Sequence, residues 1–320
     1  AILPSLENSD SFHFFDFSQS RLPHHFIDSE IARYRLQRLL SDNIAAQQEA
    51  IQLVIGEYNR TQWHGGDSAP MVLHIAGDNG VGKSHLASLI SRALFYSSHP
   101  TELETSAQGM YVVYGHEYRT IGSNFEGVEP DPSFSSSSSE DNHQLGAMIF
   151  QELEKKTKHI IERIQHQLEH VYGGSIIFID DFQLIHPHIA LQLAKTFFSQ
   201  KRYQHAIFLL ASNFGDEALT TGWTLHEIVH HIRTNTSRTL YQSQVFTNGK
   251  VIPLRSYTTL ESFYQITANK FRSLLCRPNI VNHIGSESPT IFYQAQLVKY
   301  VATQAWRKPE RLGMGRCISN

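Results

Sequence analysis

The chain has 320 residues, 41% of them hydrophobic, which is enough for one substantial core with a smaller unit beside it. Its formal charge is -3 with 19 histidines counted as neutral, so it lacks the basic excess that a phosphate backbone demands, and this argues against nucleic acid as a partner. No apolar run nears the roughly 20 residues of a membrane span, and Cys276 and Cys317, the two cysteines, exclude a disulfide framework or a cysteine zinc site.

Residues 1–28 are aromatic and polar without sustained periodicity and read as an extended arm or the tail of a missing segment. Helical spacing begins near Ser29 through Ile31, Tyr34, Leu36, Leu39 and Leu40, breaks at Ser41-Asp42-Asn43, and resumes over Ile44 to Ile55. The polar stretch from Asn59 to Pro70 ends it. Met71 to Ala76 is a short apolar strand running into a glycine-rich turn, and Ser84 to Phe95 then takes helical spacing. Met110 to Tyr114 predicts a second strand, followed by a long insertion from Gly122 to about Asn142, rich in Gly, Pro, Asp and Ser.

From Leu145 to Val171 the apolar positions fall three and four apart, and Gly173-Gly174 closes that helix. Ser175 to Ile179 predicts a buried strand, Ile189 to Phe198 a helix, and Ala206 to Ala211 another strand. Strands alternating with helices predict an α/β fold with a mostly parallel sheet. After roughly residue 250 the strand signals fade and helices dominate, which predicts a small α-rich second domain.

Gly77-Asp78-Asn79-Gly80-Val81-Gly82-Lys83-Ser84 matches G-x-x-x-x-G-K-[ST] at every fixed position and lies between a strand and a helix. In that pattern glycines let backbone N–H groups turn toward phosphate oxygens, and the following helix directs the positive end of its dipole at the same anion. Lys83 adds a cation near the β and γ phosphates, Ser84 offers a hydroxyl to Mg²⁺, and His85 in the next turn is counted with the loop as contacting the nucleotide. Ser175 to Ile179 ends in Asp180-Asp181, which puts a carboxylate at the edge of the sheet where open α/β folds bind ligands. Asp180 is assigned to the metal and Asp181 to the attacking water. Ser212-Asn213 closes the next strand, and its polar side chain is assigned to the γ-phosphate or to that water.

Phosphate loop, acidic strand end and Asn213 follow one another in the order of AAA+ ATPases, and about residues 29–318 resemble the Clp and torsin branch of that class. Asn43-Ile44-Ala45-Ala46-Gln47 with Glu49-Ala50 is similar to the helix start that contacts adenine in Clp-type ATPases, which implies Asn43 and Ile44 beside the base. Ala206 to Gly215 is similar to the torsin sensor-1 strand, with its Ser-Asn-x-Gly ending. Gly313-Met314-Gly315-Arg316-Cys317 resembles the sensor-2 region, which implies Arg316 at the phosphates. Asn279 to Ile284 resembles the arginine-finger segment of Clp proteins with Ile280 at the arginine position; Arg277 lies three residues away.

The resemblance implies a P-loop AAA+ three-layer sandwich over residues 29–249, carrying the insertion at about 120–143, and a truncated lid domain over 250–320. It implies ATP and Mg²⁺ as cofactors, hydrolysis of ATP, protein clients, a homo-oligomeric ring or filament, and an activator, membrane-anchored or soluble, that supplies an arginine finger in trans. It also implies the endoplasmic reticulum lumen or nuclear envelope, with the cytoplasm as the other compartment. Departures are Ser84 where torsins usually carry Asn, Asp181 where most relatives carry Glu, and no clear aromatic-glycine pore loop beyond Phe125-Glu126-Gly127. Two alternatives stay open: a replication initiator or helicase loader, since Gly82 to Ala87 and Ile179 to Leu184 also look like those proteins, and a weakly hydrolysing nucleotide-dependent switch. The chain runs from Ala1 to Asn320 just past a motif, and we expect it to be trimmed at both ends.

Overall fold

The computed structural model describes residues 29–63, 69–95, 110–119, 139–170, 175–213, 222–235, 249–257, 259–275 and 295–306. In chain order the elements are α1 (Ser29–Asn43), α2 (Gln48–Trp63), β1 (Met71–Gly77), α3 (Lys83–Leu94), β2 (Met110–Tyr114), α4 (Ser139–His170), β3 (Ser175–Asp180), α5 (Pro187–Leu193), β4 (Ala206–Ser212), α6 (Leu225–Asn235), β5 (Lys250–Leu254), α7 (Leu260–Leu275) and α8 (Ala295–Trp306). A π-helical turn, Ala194–Phe198, continues α5. The strands form one sheet in the order β2-β3-β4-β1-β5, and all pairings are parallel.

Both faces of the sheet are covered, which is why its central strands read as continuous apolar runs instead of alternating ones. Leu73, Ile75, Ile176, Phe178, Ile207 and Leu209 face a core built with α1, α2 and α3. Val72, Ile177, Ile179, Phe208 and Leu210 face the opposite way, onto Ile160 and Ile164 of α4 and Ile189 and Leu193 of α5. Helix, sheet and helix make the three layers expected from the sequence.

Four local expectations need correction. The second helix starts at Gln48 instead of Ile44, because Ala46 adopts a left-handed φ of 54° that no helix continues through. α4 begins at Ser139, inside the stretch read as insertion, where the run of Ser, Asp and Asn hides the helix start from a reading by apolar spacing. β5 is a strand beyond residue 249, where strand signal was expected to end; Pro253 obscures it, yet it sits at an edge beside β1, where a missing N–H is tolerated. α6 was not anticipated at all, although Thr224-x-x-Glu227 announces it: the Thr224 N–H donates to Glu227 Oε2 at 2.7 Å and Glu227 N–H donates to Thr224 Oγ1 at 3.3 Å. The 1–28 arm, the bulk of the insertion and residues Phe125 to Gly127 lie outside the described residues.

Candidate functional site: a phosphate loop facing an acidic strand end

Strand order decides the geometry. β4 lies between β1 and β3, so Asn213, past the end of β4, stands between the loop leaving β1 and the acids ending β3. This is the carboxyl edge of a parallel sheet, the position at which open α/β folds hold ligands.

The loop turns through two left-handed glycines, Gly80 at φ 83° and Gly82 at φ 102°, a conformation side chains resist. Gly82 delivers the chain into α3 at Lys83. The buried Lys83 ammonium donates to Gly77 O at 2.8 Å, Asp78 O at 3.0 Å and Asn213 Oδ1 at 2.6 Å. Asn213 Nδ2 in turn donates to Asn79 Oδ1 at 3.3 Å, tying the end of β4 to the loop. Tyr257, past β5, donates its hydroxyl to Val81 O at 3.0 Å and braces the loop from the other side.

Ser84 Oγ donates to Asp180 Oδ2 at 3.5 Å. Burial pushes the Asp180 carboxyl up from its ordinary value; the Asp181 N–H counters this, while the neighbouring Asp181 charge adds to it. A hydroxyl and a carboxylate facing one another, in a spot that already disfavours the bare anion, form an oxygen donor set that suits magnesium, which needs few protein ligands.

Asp181 has a left-handed backbone, φ 50° and ψ 43°, and opens the 3-10 turn Phe182–Leu184. That kink brings its carbonyl against Gly115, where a Cβ would come within 2.2 Å of Asp181 O, so a side chain at 115 is excluded. Gln183 Nε2 donates to Asp181 Oδ1 at 3.1 Å, and Asn213 N–H donates to Gln183 Oε1 at 3.3 Å.

A cleft of about 550 Å³ opens along the loop and the two acids. Asn43, Ile44, the loop from Asn79 to His85, Asp180 and Asp181 line it, as do Ile266, Asn269 and Lys270 of α7. Asn43 Nδ2 donates to Leu39 O at 2.8 Å, and the cleft-mouth side chain of His85 is hydrogen-bonded to the Asn43 backbone. His85 is reached by solvent yet ringed by protein at this concave mouth, and that desolvation, with Arg92 and Lys270 nearby, lowers its pKa. Gln47 clips the helix start to β5, donating to Arg255 O at 2.7 Å and accepting from Arg255 N–H at 3.0 Å. The structure therefore brings together Asn43, Ile44, the loop residues Gly77 to His85, Asp180, Asp181 and Asn213. Arg316, Arg277, Ile280 and Cys317 lie outside the described residues.

Sequence reading missed Gly115, Gln183, Tyr257, Asn269 and Lys270, which join the site only through folding. It also passed over His226-Glu227-Ile228-Val229-His230, which has the H-E-x-x-H spacing of a helical zinc site. Glu227 is engaged at the start of α6 by Thr224, and no three His, Cys, Asp or Glu side chains converge to hold a metal among the described residues.

Beneath the site, His74 of β1 is fully enclosed, and its Nε2 is 2.6 Å from Ser212 Oγ at the end of β4. Burial pushes its pKa down to about 3. Below pH about 6.5 the unfolded chain takes a proton that the folded chain refuses until about pH 3. Stability from this residue is thus full above that window and is lost as pH falls, by about 1.4 kcal/mol per pH unit and on the order of 5 kcal/mol in all. Urea titrations of the wild type and His74→Gln from pH 7 to 4 should show stabilities converging as pH drops. Parallel curves would refute a neutral buried imidazole.

The fold is that of the AAA+ P-loop proteins, a three-layer sandwich around a parallel sheet. No protein-family model matches the sequence, and no curated protein matches it either. Among solved structures the chain is similar to Hsp104 in a closed state with ATPγS and FITC-casein, at 13% identity and TM-score 0.52, covering 90% of this chain and 45% of that one. It is similar to the S. cerevisiae Hsp104–ADP complex at 13% identity and TM-score 0.50, covering 78% and 40%. It is also similar to the S. cerevisiae Hsp104–casein complex in an extended conformation, at 12% identity and TM-score 0.53, covering 92% and 46%. The chain spans less than half the length of each of these structures.

Proposed function

We propose that this chain is an ATPase that binds Mg²⁺-ATP in the 550 Å³ cleft and hydrolyses it to remodel proteins, in the manner of the Clp and torsin branch of AAA+ proteins. The observation that carries the reading is convergence: Lys83, Asn213, Ser84 and Asp180 come from three neighbouring strand ends and meet within hydrogen-bonding range at one sheet edge. Loop glycines and the α3 N-terminus receive the phosphates, and Lys83 meets their outer oxygens. Ser84 and Asp180 would hold magnesium, which would supply positive charge against that of the phosphates. Asp181 orients the attacking water and takes up its proton, while Asn213 reaches the γ-phosphate. Asn43, Ile44 and His85 border the base and ribose, and Arg316 is assigned to the phosphates by the resemblance of its segment to sensor 2.

Hsp104 structures that hold ATPγS, ADP or casein are similar to this chain, which supports a nucleotide-driven reading and protein clients. With Ile280 at the arginine position, turnover in this reading depends on a partner, membrane-anchored or soluble, that donates an arginine, and the working form is a homo-oligomer. Division into a nucleotide-binding unit and an α-rich lid, and residence in the endoplasmic reticulum lumen or nuclear envelope, belong to the same proposal.

Calorimetric titration of the purified chain with ATP and magnesium tests it. Micromolar uptake with slow turnover is the expected result. No heat of binding would sink the proposal, and fast turnover without a partner would sink the trans-activation part.

A further inference from the structure

We infer that Gln183 is a positioning residue for hydrolysis, acting by holding the Asp181 carboxylate in register with Asn213; this rests on the reading of the cleft given above. Its amide bridges the two residues, donating from Nε2 to Asp181 Oδ1 at 3.1 Å and accepting at Oε1 from the Asn213 N–H at 3.3 Å. The amide orientation is fixed by chemistry: turned over, it would set its NH₂ against an N–H and its carbonyl against a carboxylate.

The bridge closes a longer path. Asp181 N–H donates to Asp180 Oδ1 at 3.1 Å, and Asn213 Oδ1 accepts from Lys83 at 2.6 Å, so the metal-side acid, the water-side acid, the strand end and the loop lysine lie on one hydrogen-bonded line. Gln183 is the sole side chain on that line with no expected contact to nucleotide or metal.

Its footing is rigid. The Phe182–Leu184 turn is closed by Leu184 N–H donating to Asp181 O at 2.8 Å, Phe182 is buried in the core, and Gly115 leaves room for the kink. Asp181 is a methylene shorter than the glutamate usual at its place, so orientation rather than reach must aim it. With Oδ1 held by Gln183, Oδ2 is the oxygen left to take a water's proton.

Gln183→Met keeps length and bulk while deleting both hydrogen bonds. In the full chain, with its activator where turnover needs one, kcat should fall about ten- to a hundredfold, the scale of a misaligned reacting group. The affinity for a fluorescent ATP analogue should stay within about twofold, because no phosphate contact is lost. Gln183→Ala should behave alike, and in an Asp181→Asn background either change should alter kcat by less than about twofold, since the path runs through Asp181. Unchanged or raised kcat, a parallel loss of affinity, or additive effects in the Asp181→Asn background would overturn the inference. A wild-type chain that binds ATP but never turns it over also overturns it, leaving the binding reading intact; a chain that binds no ATP fails that reading itself.

Discussion

Lys83→Ala should abolish nucleotide binding at micromolar ATP. The ammonium is the one cation buried at the centre of the described loop geometry, and charge-assisted hydrogen bonds to phosphate are the strongest contacts the cleft offers. Losing it should cost about 2–4 kcal/mol, roughly thirty- to a thousandfold in Kd. Gly77 O, Asp78 O and Asn213 Oδ1 also lose their donor, so circular dichroism and thermal melting must show that the variant folds. Titration with a fluorescent ATP analogue gives the result, and an affinity within about threefold of wild type would remove Lys83 from the phosphates.

Asp181→Asn should separate binding from chemistry. The amide matches the carboxylate in size and can still accept at its oxygen from Gln183 Nε2, so the 3-10 turn and the cleft survive. It cannot accept the water's proton, and turnover should fall by about two to three orders of magnitude, the range of a lost general base. ATP affinity should change little, and the protein should accumulate with ATP bound. Single-turnover measurements beside equilibrium titration resolve the two effects; undiminished hydrolysis would move the base elsewhere.

Segments of this chain differ in how much of their structure was legible from sequence. The phosphate loop was, because its chemistry demands glycines, Lys83 and Ser84 at fixed spacing within one stretch of chain. The strands β1, β3 and β4 were, because burial on both faces leaves unbroken apolar runs. β5 was not, because Pro253 looks like a strand breaker until the strand is known to sit at an edge. The start of α2 was displaced because the left-handed turn at Ala46 carries no glycine to announce it.

By itself the sequence determined the class of site: an anion-binding loop, two carboxylates at a strand end and a polar residue closing another strand, each encoded locally by residues a few positions apart. Tertiary structure alone decided that Asn213, last of the three in the chain, stands between the other two, because β4 inserts between β1 and β3. It also decided that Gln183, Gly115, Tyr257 and the α7 side chains Asn269 and Lys270 belong there. Hydrogen bonds and steric contacts such as these join positions far apart in the chain, 176 residues for Tyr257 and Val81 and 208 for Gln47 and Arg255, and no periodicity or spacing within a segment encodes which distant partner it will meet.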